Sequence, residues 1–293
     1  IQNNKDEILK IANEQDPILN KLNGGAIDLE IQKLNTKRGP MLIVHLLVNV
    51  LDAMGANIVN TMAEAVAPFI EDLCGGKVLL RIVSNLAIHR IAKSSAIFDK
   101  ELLGGEKVVD GILDAVAFAE EDPFRAATHN KGIMNGIIAL ALATGNDTRA
   151  LEAGAHTYAS ITGKYKPLTN FDVDNDGNLV GRIEIPLAMG IIGGMTRVHP
   201  MAQISLKILG VKSSSELCQV AAALGLAQNV AALRALVSEG IQKGHMALHA
   251  RNIAKLAGAS DDLIQKVADI LVKDRKIRLD YAKLIIEKLK KGE

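Results

Sequence analysis

Apolar positions across residues 4–22 recur at helical spacing and predict an amphipathic helix, ended by Gly24 and Gly25. Ile27, Leu29 and Ile31 then alternate with polar residues, the period of a half-buried strand. A turn at Arg38, Gly39 and Pro40 leads into an apolar strand over residues 41–50. A helix over 57–73 stops at Gly75 and Gly76, and residues 77–83 read as a further strand. The order is α-β-β-α-β, and one strand in front would give β-α-β-β-α-β, the ferredoxin-like arrangement. The chain therefore reads as incomplete at its start. Ile1 is no initiator methionine, and the opening IQNNKDEI has neither signal-peptide nor transit-peptide character.

From about Leu86 the texture changes to alanine- and glycine-rich helices: residues 108–121, a helix around Lys131, and residues 149–161. A β-hairpin is expected around residues 174–177. A third region opens near Gly240 with a helix through His245 and His249. Ser260, Asp261 and Asp262 then suit a helix N-cap and first turn. The chain ends in a lysine-rich helix whose Lys288, Lys290 and Lys291 complement its dipole. There is no internal repeat. The fold class expected is α+β.

Composition narrows the function. A length of 293 residues allows two or more domains. A net charge of +1 with interspersed signs leaves no basic patch for nucleic acid, and 3% aromatic residues with no tryptophan leave no base-stacking platform. No run of about 18 uncharged apolar residues is evident, so no membrane partner is expected. Cys74 and Cys218 read as buried small hydrophobes in a reducing, cytoplasmic compartment.

The densest chemistry lies in RAATHNKGIMNGIIALALATGND, residues 125–147. The apolar run 137–143 reads as buried, with polar groups at both ends. Lys131 and Asn135 share a helix face. A lysine beside a buried run needs a partner, and Asp147 could supply it; a pair that merely satisfies two helix ends fits equally. DAMGAN, residues 52–57, stands where a strand gives way to a helix. Such a turn suits a pyrophosphate, with Gly55 allowing close approach, but it also fits an ordinary β-α turn. FDVDNDG resembles half of an EF-hand loop, yet its twelfth position is Ile183 and its flanks alternate as strands, so a hairpin is expected and no metal. His245 and His249 have zinc-binding spacing without the glutamate or a third ligand, so a proton-donating His245 on a mobile element behind Gly244 is preferred. Residues 190–196 form a glycine-rich run that reads as a turn or tight packing.

In order and spacing, DAMGAN, THNKGIMNG, TGND, VGRIEIP, GGMTRVHP, ILGVK, LAQN and GHMALHARN resemble class II 3-hydroxy-3-methylglutaryl-coenzyme A reductase. The likeness runs from about Lys5 to the last helix. It implies reduction of 3-hydroxy-3-methylglutaryl-coenzyme A to mevalonate and coenzyme A, or the reverse, with NADH or NADPH. Lys131, Asp147 and His245 match the family's catalytic lysine, aspartate and histidine. Arg125, Asn85 and Asn135 match positions gripping the substrate, with Gln228 and Asn229 nearby. Asp52, Met54, Gly55, Ala56 and Asn57, with Gly193 and Gly194, would face the dinucleotide. The resemblance further implies a small ferredoxin-like dinucleotide-binding domain (1–86), a larger helix-rich α/β substrate and dimerisation domain (87–239), and a C-terminal helical flap (240–293). It implies a homodimer with the active site at the subunit junction. The family also uses a catalytic glutamate preceding the small domain, which no residue here matches. A truncated relative that binds coenzyme A or dinucleotide without turnover is thus the alternative.

Overall fold

The computed structural model describes all residues except 239, 292 and 293, and all side chains except those and residues 241–245 and 291. By its contacts the chain forms two compact units, residues 1–98 with 116–229 and residues 99–115 with 230–293.

The first unit opens with helices α1 (Lys5–Asn13) and α2 (Pro17–Lys21). The single helix expected over 4–22 is broken because Pro17 disfavours a helical residue before it, and Asp16 instead caps α2 through the Leu19 N–H. Strands β1 (Gly25–Thr36) and β2 (Gly39–Asn49) form an antiparallel hairpin. Helix α3 (Ala56–Cys74) follows. Ile8, Ala12, Leu19, Leu29, Met62 and Val66 close a core between helices and hairpin. The strand expected over 77–83 does not form. Its Val78 and Val83 N–H groups donate to Glu71 and Asn60 side chains of α3, so no neighbouring strand satisfies them. The hairpin consequently stays two-stranded, without the third strand of the ferredoxin-like expectation.

Strand β3 (Ile91–Phe98) escaped the sequence reading, since Lys93, Ser94 and Ser95 interrupt its apolar pattern. In the second unit, α4 (Lys100–Leu103) leads to α5 (Glu106–Glu121), whose last turns belong to the first unit. The first unit continues with α6 (Pro123–Ala143) and α7 (Thr148–Ala159). Strands β4 (Thr169–Val173) and β5 (Leu179–Pro186) form the expected hairpin. With β3 they make an antiparallel sheet of order β3-β5-β4. Asp174 Oδ1 accepts from the Asp176 and Asn178 N–H groups, so this carboxylate organises the turn. Helices α8 (Gly194–Val198) and α9 (Pro200–Leu209) lead to α10 (Ser214–Val237).

Two expectations about composition change. Cys74 is exposed, at the end of α3, while Cys218 is buried and donates to the Leu187 carbonyl. Helix α10 is long and apolar enough to cross a membrane by length and composition, contrary to the reading of the sequence. One face of it, Leu217, Ala221, Leu226 and Asn229 among others, is buried in the protein, while Val220, Leu224 and Leu236 are exposed.

The second unit ends in α11 (Ile241–Leu256), α12 (Asp261–Lys273) and α13 (Leu279–Lys291). Ala250, Ala254, Val267, Leu271, Ala282 and Ile286 form the core of this three-helix group. Ser260 takes the N-cap position of α12 as expected, without a side-chain cap bond.

Candidate active site

Helix α6 starts at Pro123, whose ring suits the first helical position, with Asp122 capping through the Arg125 N–H. One face is buried through Ala126, His129, Asn130, Ile133, Ile137 and Ala141. The run 137–143 is not wholly enclosed, since Leu142 is 68% exposed. Lys131 and Asn135 share the open face. Helix α10 crosses α6 at glycines. A Cβ on Gly225 would stand 2.9 Å from the Ile137 side chain, and one on Gly136 would stand 3.3 Å from Gln228 Cβ. A Cβ on Gly132 would lie 4.0 Å from Asn229 Nδ2. This close approach brings Gln228 and Asn229 beside the turns of α6 that carry Lys131 and Asn135.

Lys131 and Asp147 are not an ion pair. Asp147 caps α7, its Oδ1 accepting from the Arg149 and Ala150 N–H groups at 3.0 and 3.1 Å. An exposed ammonium is solvated by water and requires no carboxylate, which removes the premise that Lys131 needs a partner. Arg125 is half-buried, and its desolvation draws the guanidinium pKa below its usual value. Asn85 lies along α7, where its carbonyl leaves no room for a Cβ on Gly154 (2.5 Å). The His245 side chain lies outside the described residues.

The DAMGAN turn joins β2 to α3, with Gly55 as the N-cap at φ 104°, a left-handed conformation that favours glycine. Gly55 has no side chain to cap α3, and among the described residues no side chain accepts from its first-turn N–H groups. Ala53 forms a parallel bridge with Ile192, and the Ile191 N–H donates to the Asp52 carbonyl. The glycine-rich run thus lies against the turn. Gly193 and Gly194 have positive φ and open space where a Cβ would stand. These bare amides and open glycines fit a dinucleotide's pyrophosphate. The Asp52 carboxylate itself is engaged, Oδ1 accepting from the Ser214 N–H at 2.7 Å.

Two residues that the sequence reading passed over hold this region. Arg90 donates to the Met54 and Met189 carbonyls, both at 2.7 Å, and to Ser214 Oγ at 2.8 Å. Burial lowers its pKa, and among the described residues no carboxylate forms an ion pair with it. Asn146, next to Asp147, grips Gly190 on both sides, accepting from its N–H and donating to its carbonyl. A Cβ on Gly190 would stand 2.4 Å from Met54 N, so the run packs backbone to backbone on the turn. The only sequence signal for these was proximity to motifs, since Arg90 stands alone in its segment.

The family model for hydroxymethylglutaryl-coenzyme A reductase matches residues 1–250. The chain belongs to the hydroxymethylglutaryl-coenzyme A reductase family. It is 65% identical over 286 residues to 3-hydroxy-3-methylglutaryl-coenzyme A reductase of Archaeoglobus fulgidus, covering 98% of this chain and 65% of that protein. It is 42% identical over 266 residues to a probable reductase of the same kind from Borreliella burgdorferi, covering 84% of this chain and 58% of that one. The chain therefore spans about two thirds or less of these curated relatives. A solved structure of 3-hydroxy-3-methylglutaryl-coenzyme A reductase from Streptococcus pneumoniae superimposes with TM-score 0.80 at 41% identity, covering 99% of this chain and 70% of that one. A class II reductase from the same species, bound to NADPH in open conformations, gives 0.79 at 41% identity, covering 99% and 71%. Family, class and α+β fold agree with the resemblance carried by the motifs.

Proposed function

We propose that this chain carries substrate- and cofactor-binding parts of an enzyme that reduces 3-hydroxy-3-methylglutaryl-coenzyme A to mevalonate and coenzyme A, or runs the reverse oxidation. The observation that supports this reading is the glycine-mediated crossing of α6 and α10, in which Gln228 and Asn229 pack against Gly136 and Gly132, the neighbours of Asn135 and Lys131.

NADH or NADPH supplies the two hydrides, and residues 52–57 with Gly193 and Gly194 would hold it. Each reduction of a carbonyl leaves negative charge on oxygen. Lys131, a cation on the open face of α6, stabilises that charge as it develops. Asn135 and Arg125 hold the hydroxyl and carboxylate of the acyl group, with Asn85 completing the grip. Asp147 contributes its charge from the N-terminus of α7. When the carbon–sulfur bond breaks, the departing coenzyme A thiolate takes its proton from His245. Small dinucleotide domain (1–86), substrate and dimerisation domain (87–239) and helical flap (240–293) belong to the same reading, as do a homodimer with its active site at the junction and a cytoplasmic location.

Steady-state assays of nicotinamide absorbance on the full-length protein test it. Lys131→Ala is expected to lose about 10²–10³ in turnover on both the thioester and free mevaldehyde. His245→Gln is expected to lose only thioester reduction, because mevaldehyde has no thiolate to release. Near wild-type turnover of Lys131→Ala on mevaldehyde removes Lys131 from the mechanism. Ligand binding with no turnover by the full-length wild-type protein supports a non-catalytic relative instead.

A further inference from the structure

The buried face of α6 carries two polar residues immediately before Lys131. Asn130 is tied to the backbone entering β4, donating to the Lys166 carbonyl at 2.8 Å and accepting from the Leu168 N–H at 2.9 Å. His129 is 1% exposed, and its Nε2 lies 2.6 Å from Thr169 Oγ1. The Thr169 hydroxyl donates onward to Asn229 Oδ1 at 2.9 Å. A hydroxyl has one hydrogen, so its bond to His129 is one it accepts, and Nε2 carries the ring proton. His129 Nδ1 is then a bare acceptor, and it is a fully buried side-chain atom with no partner among the described residues. Burial, with the nearby Arg125 cation, lowers the imidazole pKa to about 4, so the ring is neutral near pH 7.

An unsatisfied buried acceptor costs about 1–3 kcal/mol, which an apolar side chain at this position would avoid. The chain nevertheless places three polar side chains in line from α6 through β4 to α10. Their effect is orientational. With Oδ1 held by Thr169, the other end of the Asn229 amide is turned toward the α6 turn containing Gly132, next to Lys131.

We propose that His129 is a positioning residue that, through Thr169, orients the Asn229 amide so that its N–H donor faces an acyl oxygen bound beside Lys131. This rests on the reductase reading above.

The test compares His129→Leu, which cannot donate, with His129→Gln, which can, and Thr169→Val with Thr169→Ser. In the leucine and valine variants, acyl-coenzyme A turnover is expected to fall about tenfold to a hundredfold, as for a misplaced binding group. The KM for dinucleotide should be unchanged. Glutamine and serine should restore most of the loss, and the His129→Leu/Thr169→Val double variant should be no worse than either single one. Nitrogen NMR of labelled histidine should show a protonated Nε2 and a bare Nδ1 from about pH 5 to about pH 8. Equal losses for both ligands, additive effects in the double variant, or a protonated Nδ1 would overturn the proposal. If His129→Leu fails to fold, the valine and serine pair at Thr169 decides alone. A wild-type protein that neither binds nor reduces the acyl-coenzyme A fails the reductase reading itself, a result separate from any difference among variants.

Discussion

Replacing Arg90 with methionine removes the hydrogen bonds to the Met54 carbonyl, the Met189 carbonyl and Ser214 Oγ. Counting each at about 1.5–3 kcal/mol, as for bonds to charged groups, overstates the loss. Met189 O still accepts from the Ser214 hydroxyl at 2.7 Å, and the variant no longer buries a cation. Only the Met54 carbonyl, in the middle of the DAMGAN turn, is left without a donor among the described residues, at a cost of about 1–3 kcal/mol. Adding a part of the lost charged bonds gives a net destabilisation of about 3 kcal/mol. For a unit of this size each kcal/mol shifts Tm by about 2–4 °C, so a fall of roughly 6–12 °C is expected in scanning calorimetry. Calorimetric titration should also show weakened dinucleotide binding, because the released carbonyl lets the turn move. Arg90→Lys should fall between, keeping the charge and losing the planar fork. A Tm within about 2 °C of wild type, or unchanged dinucleotide affinity, would refute the idea that Arg90 holds the turn.

Asp147 separates cap from charge. Asp147→Asn retains a good N-cap and should leave stability within a few tenths of a kcal/mol, whereas Asp147→Ala should lose about 1 kcal/mol in urea unfolding. If the charge serves the reaction, turnover falls in both. His129 predicts an acid-side effect. Its folded pKa of about 4 lies below the unfolded value of 6.5, so the unfolded chain binds the extra proton and stability falls as pH drops from about 6.5 to about 4. The contribution is about 3 kcal/mol, and His129→Gln should flatten the unfolding free energy against pH in that window relative to wild type.

Much of the fold was legible because it rests on local signals. The β4–β5 hairpin followed from alternation around a glycine turn, and the helices from periodicity and caps. Pro17 was in plain view, yet helical spacing on both sides of it suggested a continuous helix. Residues 77–83 have the apolar content of a strand, but pairing is a property of the neighbour, which no local pattern encodes. The site divides the same way. Motifs pointed to Lys131, Asn135, Gln228 and Asn229, and the α6–α10 crossing packs Gln228 and Asn229 against Gly136 and Gly132, the residues that follow Asn135 and Lys131. The proposed Lys131–Asp147 pair rested on a burial that the lysine does not have. Arg90, His129 and Asn146 were missed because their partners lie 36 to 124, 40 and 44 residues away.

The bonds that hold the DAMGAN turn also set an order of assembly. Met54 is held by Arg90, which bonds Met189 and Ser214, and Asp52 is bonded to Ser214, 162 residues further along the chain. At about 5–20 residues per second, a ribosome that has just made Asp52 needs roughly 10–30 s more to make Ser214. Through most of that interval α3 has its helical neighbour α1, while Arg90 is present without Met189 and Ser214, and the Asp52 carboxylate lacks its Ser214 donor. The cofactor turn of a nascent chain is therefore a late acquisition. Damage to α10 should be felt there first, at the opposite end of the sequence.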